Sequence, residues 1–396
     1  MLTRRSFLSH AAALPALAAN WPEFRGQGDS LTAARRLPLQ WGPQQNLAWT
    51  AALPGYGQSS PVVHGNRVFV TSIEGENKET LHVLCLDFKT GRELWRRQFP
   101  ATQPGKNNDM TSKGAPTPCA DRDRVYAFFE SGDLIALDHN GRPAWHRKLT
   151  EEYGPFKGNH GIGSSPRLIP KGIAVLAAHD GPSYLLAIDR ATGRNLWRAD
   201  RPNKTAWTTP TVYGNQIIAS VNGRIDSYHT ADGRPLWSYD NIKGNLLSSA
   251  TIAGGHLIAG SSEKGQVVAL QLHDTEAPRE LWRATNATSY FGSPLVHRER
   301  VWLTAKVGVA WCLDAANGEE LWNGRIAGEC WASPLGAGDH VYLFTVKGVT
   351  QVHRAQPPFD KLAENTLPGM ERTYGYAVAD NSLLLRCGRQ LVKVSA

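Results

Sequence analysis

One phrase recurs along the chain in altered form: CLDFKTGRELW from Cys85, ALDHNGRPAW from Ala136, AIDRATGRNLW from Ala187 and CLDAANGEELW from Cys312. A repeat at this period means one supersecondary unit that cannot bury its apolar face alone and must stack on its neighbours. Each copy reads as strand, turn, strand. The Asp side chain caps nearby backbone N–H groups, and the Gly takes the positive φ that closes a tight hairpin. The tryptophans that end the copies, Trp95, Trp145, Trp197, Trp237, Trp282 and Trp322, follow one another at 40 to 52 residues. Trp49, in NLAWTAA, has no such turn before it. Each outer strand is expected to set its Trp and the preceding Leu against the next unit.

A second signal interleaves with the first, centred on Pro61, Pro118, Pro166, Pro210, Ala250, Pro294, Pro334 and Ala377 in segments such as GQSSPVV, WTTPTVY and WASPLGA. An apolar strand follows each, for example RVFVTS, RVYAFF and RVWLTA. Eight starts with four strands each describe an all-β, eight-bladed β-propeller of antiparallel blades. The last unit ends one strand short, and the strand of Trp49 is the missing piece; pairing it with the C-terminal segment closes the ring and removes an open sheet edge. Gly 38, Pro 24 and Trp 13 suit a chain of short strands, tight turns and large packing rings.

The net charge of +8 comes from scattered Lys and Arg with no run of five, which reads as a solvated surface and not a nucleic-acid-binding face. The five cysteines, Cys85, Cys119, Cys312, Cys330 and Cys387, show no CxxC spacing and read as buried thiols, with no disulfide framework or zinc site. No apolar run reaches the roughly 20 residues of a membrane-spanning helix.

The repeated L-x-A-L-D-x-x-T-G-x-x-L-W pattern resembles the pyrroloquinoline-quinone-like (PQQ-like, BamB-like) propeller repeat, and its succession over 46–396 resembles the exported eight-bladed members of that family. The opening MLTRRSFLSHAAALPALAAN resembles a twin-arginine export signal, with Arg4-Arg5 ahead of an Ala-rich stretch and small residues at 16–19. The expected organisation is a signal peptide over 1–19, an N-terminal extension over 20–45 and the propeller over 46–396. Periplasmic or secreted localisation and a monomer follow as expectations.

In a propeller, the links from an outer strand to the next inner strand share a face with the hairpins between the second and third strands. Only that face carries long polar links here, at 100–113, 150–160 and 357–370. Binding usually lives on such loops. Three places before each Pro61-type position stands an aromatic residue in four blades: Trp207, Phe291, Trp331 and Tyr374. They are expected to ring the mouth of the central channel with Lys113, Asn159, His160 and Arg372 close by, as a ligand-binding funnel or as side chains filling the narrow neck. His179-Asp180 reads as a turn.

The resemblance implies either a non-catalytic propeller that binds a protein, peptide or saccharide, with a cell-envelope protein or small ligand as partner, or a divergent quinone- or metal-dependent oxidoreductase. The family's enzymes hold PQQ against a Trp and a disulfide of adjacent cysteines, with calcium on carboxylates. This chain has no Cys-Cys pair, and no carboxylate set maps onto that calcium site. No catalytic residue, metal ligand or cofactor is therefore assigned, and binding is the favoured reading.

Overall fold

In a computed structural model the described residues are 20–34, 36–106 and 112–396. They form eight antiparallel sheets of four strands arranged as an eight-bladed propeller, with one short helix, Leu149–Tyr153. Blades 1 to 7 span 62–100, 119–148, 167–201, 211–239, 251–284, 295–325 and 335–366. Blade 8 takes three strands from 375–395 and its outer strand, Leu47–Ala52, from the other end of the chain, with Thr50 opposite Val392. The expected closure is the one observed. The twin-arginine segment lies outside the described residues, and all five cysteines are buried and free.

The hairpin motif does two things at once. In blade 1, Asp87 Oδ1 accepts the amides of Lys89 and Thr90 and the Thr90 hydroxyl, and in blade 3 Asp189 does the same for Ala191 and Thr192. The turn so fixed becomes a seat for the previous blade's tryptophan. The Trp95 indole N–H donates to the His139 carbonyl at 2.9 Å, while its ring lies against Gly141, whose φ of 81° and lack of room exclude a side chain. Trp49, Trp145, Trp197 and Trp282 donate to Phe88, Arg190, Thr230 and Ala315 in the same way.

Where the next turn departs from the motif, the seat is lost. Blade 5 has no Gly-closed turn, and the Trp237 N–H goes to Gln216 Oε1 in its own blade. Trp322 rests on Trp302 and His353, and in blade 7 Ala363 occupies the tryptophan's place in the register. The expected contact of the preceding leucine is made by Leu236 and Leu281, which pack against the clusters shared by blades 4 and 5 and by blades 5 and 6, but not by three others. A register shift in the outer strand turns Leu94, Leu196 and Leu321 outward, and all three are exposed.

The second sequence signal also has a physical role. The residue before each Pro61-type position is Ser or Thr in seven blades, and six of these hydroxyls accept amide hydrogens from the preceding blade. Ser60 N–H donates to Thr117 Oγ1, Thr117 to Ser165, Ser165 to Thr209, Thr209 to Ser249, Ser249 to Ser293 and Ser293 to Ser333, at 2.8–3.1 Å. This buried belt satisfies inner-edge amides that no strand pairs. Blade 8 has Tyr376 at the position, and its hydroxyl donates to Pro334 O instead.

Residues 21–32 cross the channel on the turn side of the belt. Trp21 pairs with Val63 of blade 1, the Ala120 amide of blade 2 donates to Pro22 O, and Leu31–Thr32 adds a parallel fifth strand to blade 7 beside Gly336 and Ala337. Glu23, buried, meets Arg167 at 3.1 Å and accepts the Leu168 amide. Arg25, also buried, donates to Ser30, Thr251 and Pro294 O. The segment closes one mouth of the channel with its own backbone and two satisfied charges.

Candidate functional site

The other mouth, on the long-loop face, opens into a cavity of about 290 Å³. The residues three places before the Pro61-type positions, Gln58, Ala115, Gly163, Trp207, Leu247, Phe291, Trp331 and Tyr374, all line it. One from each blade, they are the wall. The belt hydroxyls of Ser165, Thr209, Ser249 and Ser293 lie among the deeper lining, together with Phe24 from the crossing segment. The cavity is therefore blind, with one entrance.

The wall is lopsided. Phe291 and Trp331 stack at 4.2 Å with an interplanar angle of 25°, Tyr290 meets Phe291 edge-on at 4.6 Å, and Tyr374 meets Trp331 edge-on at 5.6 Å. Such offset and edge-to-face pairs fix ring orientation before any ligand arrives. Blades 1, 2, 3 and 5 contribute small or aliphatic residues and Gln58 instead. On that side Trp207 donates to Gly161 O at 3.1 Å and has the His160 ring 5.8 Å away.

Of the eight residues expected at the mouth, Trp207, Phe291, Trp331, Tyr374 and His160 share the cavity. Lys113 and Arg372 stand behind it. The Lys113 ammonium lies 5.3 Å from the Tyr56 ring, and the Arg372 guanidinium lies 4.6 Å from the Trp331 ring while pairing with Glu329 at 2.9 Å. Asn159 does not join them. Gly158 and Gly161 both take positive φ, the chain reverses across 158–161, and Asn159 faces a neighbouring polar cleft with Gln103 and Glu130 while His160 faces the cavity.

Sequence reasoning missed Tyr290 and Phe24. Tyr290 directly precedes an expected aromatic, and Phe24 sits in the WPEFRG stretch ahead of the repeats. Tyr56 was also missed; its hydroxyl bonds that of Tyr374 at 2.6 Å, and burial together with that bond raises its pKa. His179 is a turn residue, with Nδ1 accepting the Lys157 and Gly181 amides.

The electrostatics are set from behind the wall. Among the described residues, no Asp, Glu, Lys or Arg lines the cavity. Next to the floor residue Phe24, burial pushes Arg25 down to about 10. Next to the wall residue Gln58, Arg386 is wholly buried and donates to Gly57 O, Thr71 O and Ser72; burial pushes it down to about 9. Both stay protonated at neutral pH.

The donor set does not fit a quinone held with calcium. Among the described residues the lining contains no carboxylate and no cysteine, and no three His, Cys, Asp or Glu side chains come together as a metal group. Among those residues, too, no helix is long and apolar enough to cross a membrane.

Comparison with known proteins places this architecture. The outer membrane protein assembly factor BamB of Alkalilimnicola ehrlichii is 27% identical over 220 residues, 54% of this chain and 51% of that protein. A polyvinylalcohol dehydrogenase of a Pseudomonas species is 24% identical over 340 residues, 77% of this chain and 51% of that protein. The chain spans about half the length of the curated relatives it matches. The crystal structure of BamB from Moraxella catarrhalis superposes with a TM-score of 0.66 at 15% identity, covering 88% of this chain and 97% of that one, a likeness of fold alone. The family model described as outer membrane protein assembly factor BamB matches residues 42–159, 157–277 and 273–356, and with eight blades built on its repeat the chain belongs to that family.

Proposed function

We propose that this protein is an exported, non-catalytic propeller that holds a protein partner of the cell envelope by its long-loop face, with a peptide segment of that partner entering the blind cavity. The observation that carries the reading is the wall itself: eight equivalent positions, one per blade, with preset aromatic pairs on one side and no titratable carboxylate or thiol among them. A site of this kind binds by stacking and shape. The relatives' name, assembly factor for outer membrane proteins, supports a protein partner over a saccharide. Export by the twin-arginine-like leader, a periplasmic location, a monomeric state and the division into 1–19, 20–45 and 46–396 belong to the same proposal.

The likeness to a polyvinylalcohol dehydrogenase favours a second reading, a divergent quinone- or metal-dependent oxidoreductase. The donor set described above stands against it.

One experiment separates the two. A photoreactive residue at Val307, which is 73% exposed in the blade 6 hairpin, is expected to cross-link a discrete envelope protein, and Trp331→Ala is expected to abolish the adduct while leaving the fold intact by circular dichroism. Calorimetric titration with PQQ and Ca²⁺ is expected to give no heat. Saturable quinone binding with no cross-link would overturn the partner reading.

A further inference from the structure

The belt of hydroxyls is only half used. Ser165, Thr209, Ser249 and Ser293 line the deep end of the cavity, and their oxygens accept the amides of Thr117, Ser165, Thr209 and Ser249. A hydroxyl carries a proton as well as two lone pairs. Among the described residues none of these four protons has an acceptor. Four consecutive blades thus present an arc of O–H donors to one space. Gln58 of blade 1 adds its NH₂ group, since its Oε1 already takes the Lys113 amide.

The matching acceptors must come with the occupant. Among the described residues the lining holds no carboxylate. Behind it, Arg25 bonds Ser30, Thr251 and Pro294 O, with Asp29 nearby but not in an ion pair, and Arg386 bonds only Gly57 O, Thr71 O and Ser72. Buried cations project their potential into neutral space beside them and favour a negative occupant. Hydrogen bonds to an ionised acceptor are also the stronger kind.

Shape decides how such a group arrives. The cavity has one entrance and a volume of about 290 Å³, at the lower edge of the roughly 300 to 1,000 Å³ of small-molecule sites. A peptide cannot run through it and enters by an end or by one side chain. An N-terminal ammonium would set donors against donors near two buried cations. An Asp or Glu side chain brings the acceptors but leaves the Phe291–Trp331 and Trp331–Tyr374 pairs without a ring to stack. A C-terminal aromatic residue brings both.

We infer that the cavity captures the free C-terminus of the partner chain, an aromatic last residue whose ring lies against the aromatic wall while its α-carboxylate accepts the hydroxyl protons of Ser165, Thr209, Ser249 and Ser293. The inference rests on the partner-binding reading above and names the part of the partner that enters. Selectivity follows from the donor set, because an end that offers no acceptor leaves the buried hydroxyls unmet.

The test uses the whole protein and calorimetric titration with acetyl-Gly-Ser-Gly-Phe as the free acid, the same peptide as its C-terminal amide, acetyl-Gly-Ser-Gly-Ala as the free acid, and Phe-Gly-Ser-Gly amide with a free amine. The phenylalanine acid is expected to bind at least about 10-fold more tightly than each of the other three. Ser249→Ala, with its fold checked by circular dichroism, is expected to shrink the margin of acid over amide while leaving the amide's own affinity unchanged. If that variant fails to fold, the four peptides on the unaltered protein decide. An amide that matches the acid, an alanine acid that matches the phenylalanine acid, an amine peptide that binds as well, or a margin untouched by Ser249→Ala overturns the inference and leaves the partner reading standing. N-acetylphenylalanine is expected to bind more weakly than the tetrapeptide acid; equal affinity would make this a site for a small aromatic acid and overturn the capture of a chain end. If no peptide binds yet residue 307 still cross-links a partner in a Trp331-dependent way, the inference falls alone. If there is neither binding nor cross-link, both fall.

Discussion

The two mouths of one channel are built from opposite materials. The turn-side mouth is closed by residues 21–32 with buried charge, backbone pairing and hydrogen bonds: Glu23 on Arg167, Arg25 on Thr251 and Pro294 O, and Leu31–Thr32 along blade 7. The loop-side mouth is open, and its lining is aromatic, small or neutral and polar. Buried polar groups are costly to disturb because a lost partner leaves an unsatisfied group. Aromatic side chains at an open mouth are only partly buried, and less stability hangs on them. The difference teaches that the first mouth serves the fold and the second is released to bind.

That contrast can be broken in order of expected effect. Glu23→Ala leaves the Arg167 charge and the Leu168 amide without their partner in a buried place, a loss of about 3–5 kcal/mol of stability. Urea denaturation would read it, and a change below about 1 kcal/mol would mean that the crossing segment is an ornament on a ring that holds itself. Ser293→Ala removes the acceptor for the Ser249 amide from the hydroxyl belt and is expected to cost about 1–3 kcal/mol. An unchanged midpoint would show that water replaces the hydroxyl.

Trp331→Ala, at the open mouth, is expected to cost less stability than either change while abolishing the cross-link from residue 307. A stability loss as large as that of Glu23→Ala would erase the distinction between the mouths.

The smallest effect is a pH dependence on the loop side. Burial opposes the Asp133 charge, but hydrogen bonds from His146, Ser131 and Thr102 outweigh it and hold its carboxyl below the usual range. Its folded pKa thus lies under its unfolded value, so its contribution is present above about pH 4 and is lost as the pH falls further. Unfolding midpoints measured from pH 6 down to pH 3 are expected to drop more steeply for the wild type than for Asp133→Asn. Parallel curves would place the charge of Asp133 outside the stability of that face.

Much of this was legible in the sequence because its cause is local. The Asp–Gly turn, the strand that ends in Trp and the Ser-Ser-Pro start each repeat a short-range rule, and repetition gave the blade count and the closing strand. The same alignment found the cavity wall, since positions equivalent in sequence are equivalent around the axis. What escaped notice depends on contacts between distant segments. Nothing in WPEFRG says that Phe24 ends up under Trp207 and Phe291, and nothing in SLLLRC says that Arg386 lies buried against Gly57 and Thr71. Asn159 was misplaced for the opposite reason, because two glycines at 158 and 161 allow a reversal that linear spacing does not reveal. Of the leucines before the tryptophans, Leu236 and Leu281 pack as expected, whereas Leu94, Leu196 and Leu321 emerge exposed at the register shift ahead of each tryptophan.

The composite eighth blade has a kinetic consequence. Its outer strand, Leu47–Ala52, waits for Gln390–Ser395, and until the two meet both this early strand and the last-made blade keep bare edges. Contacts of such high sequence separation slow folding and leave intermediates open to misassembly. The ring thereby reads its own length: a chain cut short before Gln390 has nothing to receive the Trp49 strand, and its circle stays open however well the other seven blades are formed.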